Sequence, residues 1–332
     1  MRIAELRGRL RELGAAPQHE QRFLRLWSQG LAQDTGRRKL EGMLPARLLA
    51  ALPALTAELA GLVKVQSEHH GDDGSARLLL RLNDGQAVES VLLPRHGVCV
   101  SSQVGCAVGC VFCMTGRDGL IRHVGSAELV AQVVLARQRR QVRKVVFMGM
   151  GEPAHNLDNV LEAIGLLGTY GNLGHKNLVF STVGDLRVFQ RLPQEVVKPA
   201  LALSLHSTRA DLRERLLPRA PRLTPDELVD LAAGYADATG YPIQYQWTLL
   251  EGINDTDEEV AGIIRLLKGR YAVMNLIPYN RVPDLPYRRP APQRALEMAR
   301  SLHAAGILTT LRESAGQDVE GGCGQLRARA LG

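Results

Sequence analysis

The sequence predicts an α/β protein in which a parallel β-sheet is flanked by helices. Three observations lead to this expectation: short apolar runs recur after about residue 95, amphipathic segments of helical period separate them, and glycine or polar motifs follow several of the runs. The predicted strands are 144–148, 178–182, 199–205, 243–249, 272–278 and 307–311, and the predicted helices are 127–143, 157–167, 225–239, 257–268 and 292–305. Repeated strand–helix units place consecutive strands in parallel, with the helices outside the sheet.

The helix over 225–239 has the best-defined start. Thr224 offers a capping hydroxyl, Pro225 fits the first turn, and Asp226 and Glu227 follow where the helix dipole favours acidic side chains. This pattern predicts that the helix begins at Pro225.

The first 94 residues follow a different pattern. Residues 1–62 place apolar side chains at three- and four-residue spacings, broken by glycine and proline, which predicts a helical accessory domain. Residues 63–94 change to short alternating runs around the turn Asn83-Asp84-Gly85, which predicts a β-hairpin extension. We therefore divide the chain into an accessory domain (1–62), a hairpin extension (63–94) and an α/β domain (95–332).

The composition suits a cytoplasmic protein with a polyanionic partner. The chain has 332 residues, of which 45% are hydrophobic, and a net charge of +7, which gives weak, salt-sensitive attraction to nucleic acid. Aromatic residues make up only 4%, so a base would enter a pocket instead of stacking on a broad platform. No apolar run is long enough for a membrane span, and the charged N-terminus does not resemble a secretory signal.

Three of the five cysteines lie close together, in Cys106-Ala-Val-Gly-Cys110-Val-Phe-Cys113. An odd number of cysteines in a reducing compartment argues against a disulfide framework. Thiolates at this spacing wrap a compact loop around a soft metal centre such as an iron–sulfur cluster, and three ligands leave one iron open. The alternatives are a zinc site completed by His123, or buried cysteines without metal. Zinc sites favour paired spacings, so we prefer the cluster.

Polar residues follow several predicted strands. In parallel barrels the chemistry lies at the carboxyl ends of the strands, so we expect these residues to meet in one site. Each has an ordinary explanation when taken alone, such as a tight turn or a hydrogen-bonded histidine. The residues are Gly149-Met150-Gly151-Glu152, Ser181, Ser204, Leu205, His206 and Asn280.

The C-x3-C-x2-C spacing resembles the signature of the radical S-adenosylmethionine (SAM) superfamily. Five blocks in order, from about Glu89 to Leu326, further resemble the RlmN/Cfr family of radical SAM methyltransferases, which act on adenine in ribosomal and sometimes transfer RNA. The blocks are Cys99-Val-Ser-Ser-Gln-Val-Gly-Cys106, Met148-Gly-Met-Gly-Glu-Pro153, Ser204-Leu-His-Ser207, Ile277-Pro-Tyr-Asn280 and Cys323-Gly-Gln-Leu326.

This resemblance implies the fold and the cofactors. The α/β domain would be a partial (βα)6 TIM-like barrel of the radical SAM type. Cys106, Cys110 and Cys113 would hold one [4Fe-4S] cluster, and SAM would bind its open iron. The implied SAM contacts are Gly151, Glu152, Ser181, Ser204, Leu205, His206 and Asn280.

The resemblance also implies a route through a methylated cysteine. Carbons 2 and 8 of adenine are electrophilic, so the family first methylates a cysteine, which corresponds to Cys323 here. A second cysteine, here Cys99, later attacks it and leaves a transient disulfide. Glu89 takes the position of the family's proposed general base, although the residues alone favour an exposed acid on an edge strand. Gly321 and Gly322 are expected to make the loop before Cys323 flexible.

The expected partners follow from the same resemblance. They are ribosomal or transfer RNA, methylated at carbon 2 in preference to carbon 8, and a low-potential electron donor of the flavodoxin type; we expect a monomer and no membrane association. RNA could bind the accessory domain. The basic residues that could face it are Arg137, Arg139, Arg140, Arg143 and Lys144 at a helix end, and Arg37-Arg38-Lys39, although a solvated surface explains both groups equally well.

Two alternatives remain at this stage. One is a radical SAM enzyme with a different acceptor, which the pair Cys99 and Cys323 argues against. The other is a non-catalytic, metal-stabilised RNA-binding protein, which would be colourless and would tolerate loss of Cys323.

Overall fold

A ten-stranded sheet runs through the described residues of this computed structural model, which are 1–36, 40–282 and 285–328. Its order is β1-β2-β3-β4-β7-β8-β9-β10-β11-β12, and β5 and β6 pair separately. The strands are β1 (Val63–His70), β2 (Ala76–Leu82), β3 (Ala87–Leu93), β4 (Gly97–Cys99), β5 (Gln103–Gly105), β6 (Leu120–His123), β7 (Lys144–Phe147), β8 (Leu178–Thr182), β9 (Ala200–Ser204), β10 (Ile243–Leu249), β11 (Ala272–Pro278) and β12 (Leu308–Leu311).

Helices cover the outside of the parallel part and form the N-terminal region. The start of α8 is as predicted, since the Thr224 hydroxyl accepts the N–H of Glu227 at 3.2 Å and Pro225 opens the helix. The helices are α1 (Ile3–Glu12), α2 (Pro17–Ser28), α3 (Ala46–Gly61), α4 (Ser126–Arg137), α5 (Leu157–Thr169), α6 (Leu186–Arg191), α7 (Ala210–Leu216), α8 (Pro225–Thr239), α9 (Asp257–Leu267) and α10 (Pro292–Ala304).

The strands from β4 to β12 in the large sheet run parallel, and six of them correspond to the predicted strands. The additional parallel strand is β4, which spans three residues and is too short to show a periodic pattern. The expected partial α/β barrel is therefore confirmed, with β4 as its first strand. Among the described residues, no helix combines the length and apolar character required to span a membrane.

The predicted hairpin belongs to a longer antiparallel ribbon. β1 pairs with β2, β2 with β3, and β3 with β4, so the extension continues the barrel sheet without a break. The turn Asn83-Asp84-Gly85 joins β2 to β3 as expected. As a result β3, which carries Glu89, lies between two strands and is not an edge strand.

The two faces of the parallel sheet differ in chemistry. Side chains such as Val145 and Phe147 point to the outer face and join the main core beneath the helices. The inner face has small apolar side chains that form a separate cluster. Cys99 is in register with Val146, so its side chain also points inward. The cluster contains Val179, Ala200 and Ala202, with Val146 and Met148 packed against it.

The basic residues at the end of α4 make intramolecular contacts. Arg137 donates from Nη1 to the carbonyl of Ser28 and from Nη2, at 2.6 Å, to that of Gly171. Arg139 donates to Glu68 at 3.0 Å, and Arg140 donates at 2.7 Å to a main-chain carbonyl of β3. These guanidinium groups therefore fix the accessory helices and the ribbon to the barrel. Arg37, Arg38 and Lys39 lie outside the described residues.

Replacing Arg137 with Met should destabilise the fold. The change leaves two carbonyls without their donor, and we expect a loss of about 1–3 kcal/mol in the free energy of unfolding. Arg143, which is exposed in the loop between α4 and β7, is the matched control; Arg143→Met should change stability by less than about 0.5 kcal/mol. Urea unfolding measures the free energy of unfolding of both variants. Equal losses in the two would contradict the structural role assigned to Arg137.

Candidate active site

The three clustered thiols lie on a loop that follows β5. Cys106 donates its N–H to the carbonyl of Gly119 at 2.9 Å, and Cys113 ends the loop at a short 3₁₀ turn. Cys106 is buried, and Cys110 and Cys113 are half-buried. Burial raises the pKa of all three thiols, to about 12 for Cys106, and the charge of neighbouring thiolates adds to the shift for Cys106 and Cys110. The thiols therefore lie close together and need a metal centre to be ionised.

The zinc alternative does not fit this arrangement. His123 is exposed on β6, in register with Gln103 of β5, and its Nδ1 lies 3.1 Å from the Gln103 amide nitrogen. Within the described residues, no three His, Cys, Asp or Glu side chains converge as ligands of a single metal ion. In an iron–sulfur cluster each cysteine thiolate binds a different iron, so the three thiols need not converge on one ion. Cys106, Cys110 and Cys113 therefore fit an iron–sulfur cluster.

Gly151 and Glu152 lie beside this loop because Gln103 ties the two segments together. Gly151 has φ +99°, and a Cβ there would lie 2.5 Å from the Gln103 Cβ, so only glycine fits. The Gln103 side-chain oxygen accepts the N–H of Glu152 at 2.8 Å. Gln103 is thus a positioning residue that the sequence pattern did not single out.

The Glu152 carboxylate is buried and held by main-chain donors. Its Oε1 accepts the N–H of Ala154 and its Oε2 that of Val183, both at 3.0 Å. Burial raises the pKa of Glu152 to about 7, although these two N–H groups and the Thr182 hydroxyl favour the ionised form. A cation beside Glu152 would therefore favour its ionised form.

The predicted residues of β9 and its following turn reach the same edge. Ser204, in register with Gln246 of β10, and Ser181 of β8, in register with Ala202, lie on the inner face, whereas the Leu205 side chain packs in the main core. His206 has φ +62°, its Nδ1 accepts the N–H of Thr248 at 3.0 Å, and its ring lies 5.0 Å from that of Phe112. Burial, and to a lesser extent the charge of Arg213, lowers the pKa of His206 to about 3, so the ring is neutral.

Arg213 of α7 is a buried cation beside the thiols. Its Nη2 donates to the carbonyl of Val183 and, at 3.4 Å, to that of Ser204. Burial lowers the pKa of Arg213 to about 10, and the nearby Cys110 and Glu152 oppose that shift. No pattern in the sequence indicated this role, because Arg213 stands among the alternating charges of a helix that resembles an ordinary surface helix.

The C-terminal segment, residues 314–328, carries Cys323 to the site. Asn280 donates from Nδ2 to the carbonyl of Cys323 at 2.9 Å and to Ser314 Oγ at 2.8 Å. The cluster loop also binds this segment: the Met114 N–H donates to the Gly324 carbonyl at 2.8 Å, and Thr115 Oγ1 donates to the Leu326 carbonyl at 2.7 Å. Cys323 is thereby fixed by contacts on both sides.

The glycines before Cys323 are packed, in contrast to the expected flexible loop. Gly321 and Gly322 are both buried. A Cβ on Gly322 would lie 2.7 Å from the Gln325 Oε1 and 2.8 Å from the Asn280 Nδ2. Glycine is therefore required here for a close approach of the backbone to its anchors.

Cys323 and Cys99 are both free thiols. Burial raises the pKa of Cys99 to about 12, and the charge of Cys323 adds to the shift. The Cys323 side chain reaches solvent, yet the surrounding protein and Cys113 raise its pKa as well. The structure thus brings Cys323 near both Cys99 and the cluster loop.

Glu89 is buried, in contrast to the exposed edge acid that the residues alone favoured. Its Oε1 lies 2.5 Å from Arg77 Nη1, both side chains have no exposed surface, and its Oε2 accepts the N–H of Arg327 at 2.8 Å. Because Val91 pairs with Cys99, Glu89 shares the inner face with Cys99. The edge interpretation was wrong because β4 covers the free side of β3.

Replacing Glu152 with Gln should remove a pH dependence of stability. Because the folded state raises the pKa of this carboxyl from 4.5 to about 7, it binds the proton more tightly than the unfolded chain. The iron-free protein should therefore lose up to roughly 3 kcal/mol through this group as pH rises from about 4.5 to about 7. Urea unfolding of wild type and Glu152→Gln over this range measures the difference, with the exposed Glu214→Gln as control. If the free energy of unfolding changed with pH in the same way in wild type and Glu152→Gln, the raised pKa assigned to Glu152 would be contradicted.

Comparison with known proteins identifies the family. A model of the radical SAM superfamily matches residues 100–267. A probable RNA methyltransferase of Leptothrix cholodnii is 70% identical over 331 residues, which cover 100% of this chain and 95% of that protein. A probable RNA methyltransferase of Pseudomonas aeruginosa is 66% identical over 332 residues, which cover 99% of this chain and 96% of that protein. The crystal structure of a radical SAM methyltransferase from Sphaerobacter thermophilus aligns with a TM-score of 0.85 at 35% identity, over 99% of this chain and 98% of that one.

These findings confirm the fold and the enzyme class expected from the sequence, and they remove the non-catalytic alternative. A [4Fe-4S] cluster and SAM are the cofactors that this superfamily implies. The chain belongs to the radical SAM superfamily and, within it, to the family of probable RNA methyltransferases.

Proposed function

We propose that this enzyme is of the RlmN/Cfr type and methylates an adenine of ribosomal or transfer RNA, at carbon 2 in preference to carbon 8, through an S-methylcysteine on Cys323. The observation that carries the proposal is the position of Cys323, which Asn280 after β11 and Met114 of the cluster loop hold at the site through hydrogen bonds to its carbonyl and to that of Gly324. RNA as the acceptor is supported by the names of the relatives and by the net charge of +7.

Cys106, Cys110 and Cys113 would hold the cluster. When bound, the cluster and SAM supply one-electron cleavage of SAM to a 5′-deoxyadenosyl radical. The protein's contribution is to position the reacting groups and exclude water. The contact between the rings of Phe112 and His206 supports this role, because it closes one side of the loop with apolar surface.

The SAM contacts would come from the carboxyl ends of β7 to β11. Glu152 already accepts two N–H groups, and a carboxylate has further lone pairs for the SAM ammonium group. Gly151, Ser181, Ser204, Leu205 and His206 would complete the site, Leu205 through its backbone. Asn280 Oδ1 is buried and has no hydrogen-bond partner among the described residues, so it can accept a donor from SAM while Nδ2 orients Cys323.

The chain would release the product through Cys99. The Cys323 S-methyl group would lose a hydrogen atom to the 5′-deoxyadenosyl radical, and its carbon would then bond to the base; the resulting adduct would give up one electron to the cluster. Glu89 would remove the ring proton, and the Cys99 thiolate would attack the Cys323 sulfur. The carbon–sulfur bond would break, the carbon left on the base would take up a proton to become the methyl group, and a Cys99–Cys323 disulfide would remain for a reductant to open. The inner-face register shared by Glu89 and Cys99 supports this pairing of roles.

The first test is the identity of the product. The anaerobically reconstituted enzyme, with SAM, a reductant and unmodified ribosomal or transfer RNA, should form 2-methyladenosine, measured by mass spectrometry of the digested RNA. Cys323→Ala should form none while its iron content stays that of wild type. Formation of 8-methyladenosine would show that the enzyme methylates carbon 8 instead of carbon 2. SAM cleavage without any methyladenosine would show that the acceptor is different.

A second test traps the covalent intermediate. Without Cys99 the carbon–sulfur bond to Cys323 cannot be broken by thiol attack, so Cys99→Ala should accumulate a protein–RNA adduct. A denaturing gel of labelled RNA measures it, and digestion with ribonuclease should collapse the shifted band. Cys99→Ala/Cys323→Ala is the control and should form no adduct. Full turnover of Cys99→Ala would exclude its proposed role.

A further inference from the structure

Asn275, near the middle of β11, has an amide with no hydrogen bond. Neither Nδ2 nor Oδ1 has a partner among the described residues, and the residue has no exposed surface. A buried amide without hydrogen bonds destabilises the fold, so native proteins rarely keep one without a reason. Asn275 is in register with Gln246 of β10 and Thr310 of β12, which places its side chain on the inner face of the barrel.

This inner face also carries small apolar side chains. Val179, Ala200 and Ala202 form a cluster separate from the main core, and Val146 and Met148 beside it are half-buried. Small side chains at these positions would allow a flat ring to pack against the face once the side chains that cover it are displaced. This cluster and Asn275 lie on one face, below the end of β11 where Asn280 holds Cys323.

Two cations on the same face, Lys144 and Arg312, have no counter-ion among the residues that the structure describes. Lys144 is in register with Gly97, which puts its side chain on the inner face two residues before Val146, the partner of Cys99. Arg312 continues β12, since its N–H donates to the Leu276 carbonyl at 2.8 Å. Within the described part of the chain, neither side chain makes a hydrogen bond or ion pair, and each pKa is lowered, chiefly by burial. Such a pair favours an anion, such as a phosphate of the incoming nucleotide.

We propose that the inner face between Cys323 and Lys144 receives the acceptor nucleotide and that Asn275 reads its base. The amide oxygen accepts the 6-amino group of adenine, and the amide nitrogen donates to N7. This inference rests on the proposed function and adds to it the residue that selects adenine.

The choice of edge follows from the chemistry of the base. Asparagine forms a bidentate pair with the 6-amino group and N7 of adenine. Carbon 2 lies on the opposite side of the ring, so this pairing leaves it free to face Cys323. The amide has no exposed surface here, and binding therefore includes displacement of the side chains that cover it.

Nucleotide analogues test the pairing. The target adenosine is replaced by 7-deazaadenosine, which lacks the N7 acceptor and keeps carbon 2. Wild type should lose roughly tenfold or more in kcat/KM on the analogue, and Asn275→Ala should lose roughly 10- to 100-fold on adenosine. Asn275→Ala should show no additional loss on the analogue, because the interaction is already absent. Equal losses in both proteins, or wild-type turnover by Asn275→Ala, would overturn the inference.

The wild-type reaction on unmodified RNA separates the two proposals. If wild type forms no methyladenosine, the proposed function fails and this inference fails with it. If wild type forms methyladenosine and Asn275→Ala matches it, only the assignment of Asn275 fails.

Thermal unfolding distinguishes recognition from a structural role. Asn275→Leu removes two unsatisfied polar atoms and should leave the melting temperature unchanged or raised. Asn156→Leu is the matched control, because the Asn156 Nδ2 donates to the carbonyls of Ser102 at 2.8 Å and Val124 at 2.7 Å, and its loss should lower the melting temperature. A comparable drop for Asn275→Leu would overturn the inference.

Discussion

The buried ion pair of Arg77 and Glu89 is the interaction on which the geometry of the site depends. Neither side chain has exposed surface, so loss of one partner would leave an uncompensated charge and cost roughly 3–5 kcal/mol. The pair also anchors the C-terminal segment, because Glu89 accepts the N–H of Arg327 and a Cβ on Gly321 would lie 3.5 Å from the Arg77 Cβ. Cys323 lies between these two contacts, so its position depends on the pair. Glu89 thus has a structural task in addition to the proton transfer proposed for it.

A second constraint is the concentration of negative charge at the carboxyl edge of the sheet. Three thiols and Glu152 can all ionise there, and burial opposes this for each of them. Arg213 supplies a fixed positive charge within reach of Cys110 and Glu152, while His206 stays neutral. The protein alone therefore holds the site largely protonated, and a metal centre provides the charge that would stabilise the thiolates.

The sequence predicted the parts of this protein that depend on local pattern. The apolar runs located six parallel strands, and the cysteine spacing and strand-end motifs located one edge of the sheet. What escaped prediction depends on distant contacts. β4 is too short to show a period, Arg137 acts through carbonyls of Ser28 and Gly171, and Glu89 is buried only because β4 pairs with β3. Arg213 and Asn275 carry no motif, since their roles follow from their surroundings.

Some of the polar groups that the fold leaves unsatisfied lie where the chemistry is proposed. Asn275 lacks partners for both amide atoms, Asn280 Oδ1 lacks one, and Glu152 is buried in a form that resists ionisation. Asn254 and Asn156, by contrast, donate from Nδ2 to main-chain carbonyls of neighbouring segments. Each of the groups at Asn275, Asn280 and Glu152 reduces stability before ligands bind, and each would be relieved by a donor or acceptor on SAM or on the base. The barrel is therefore built so that its stability at this edge increases when substrate and cofactor occupy it.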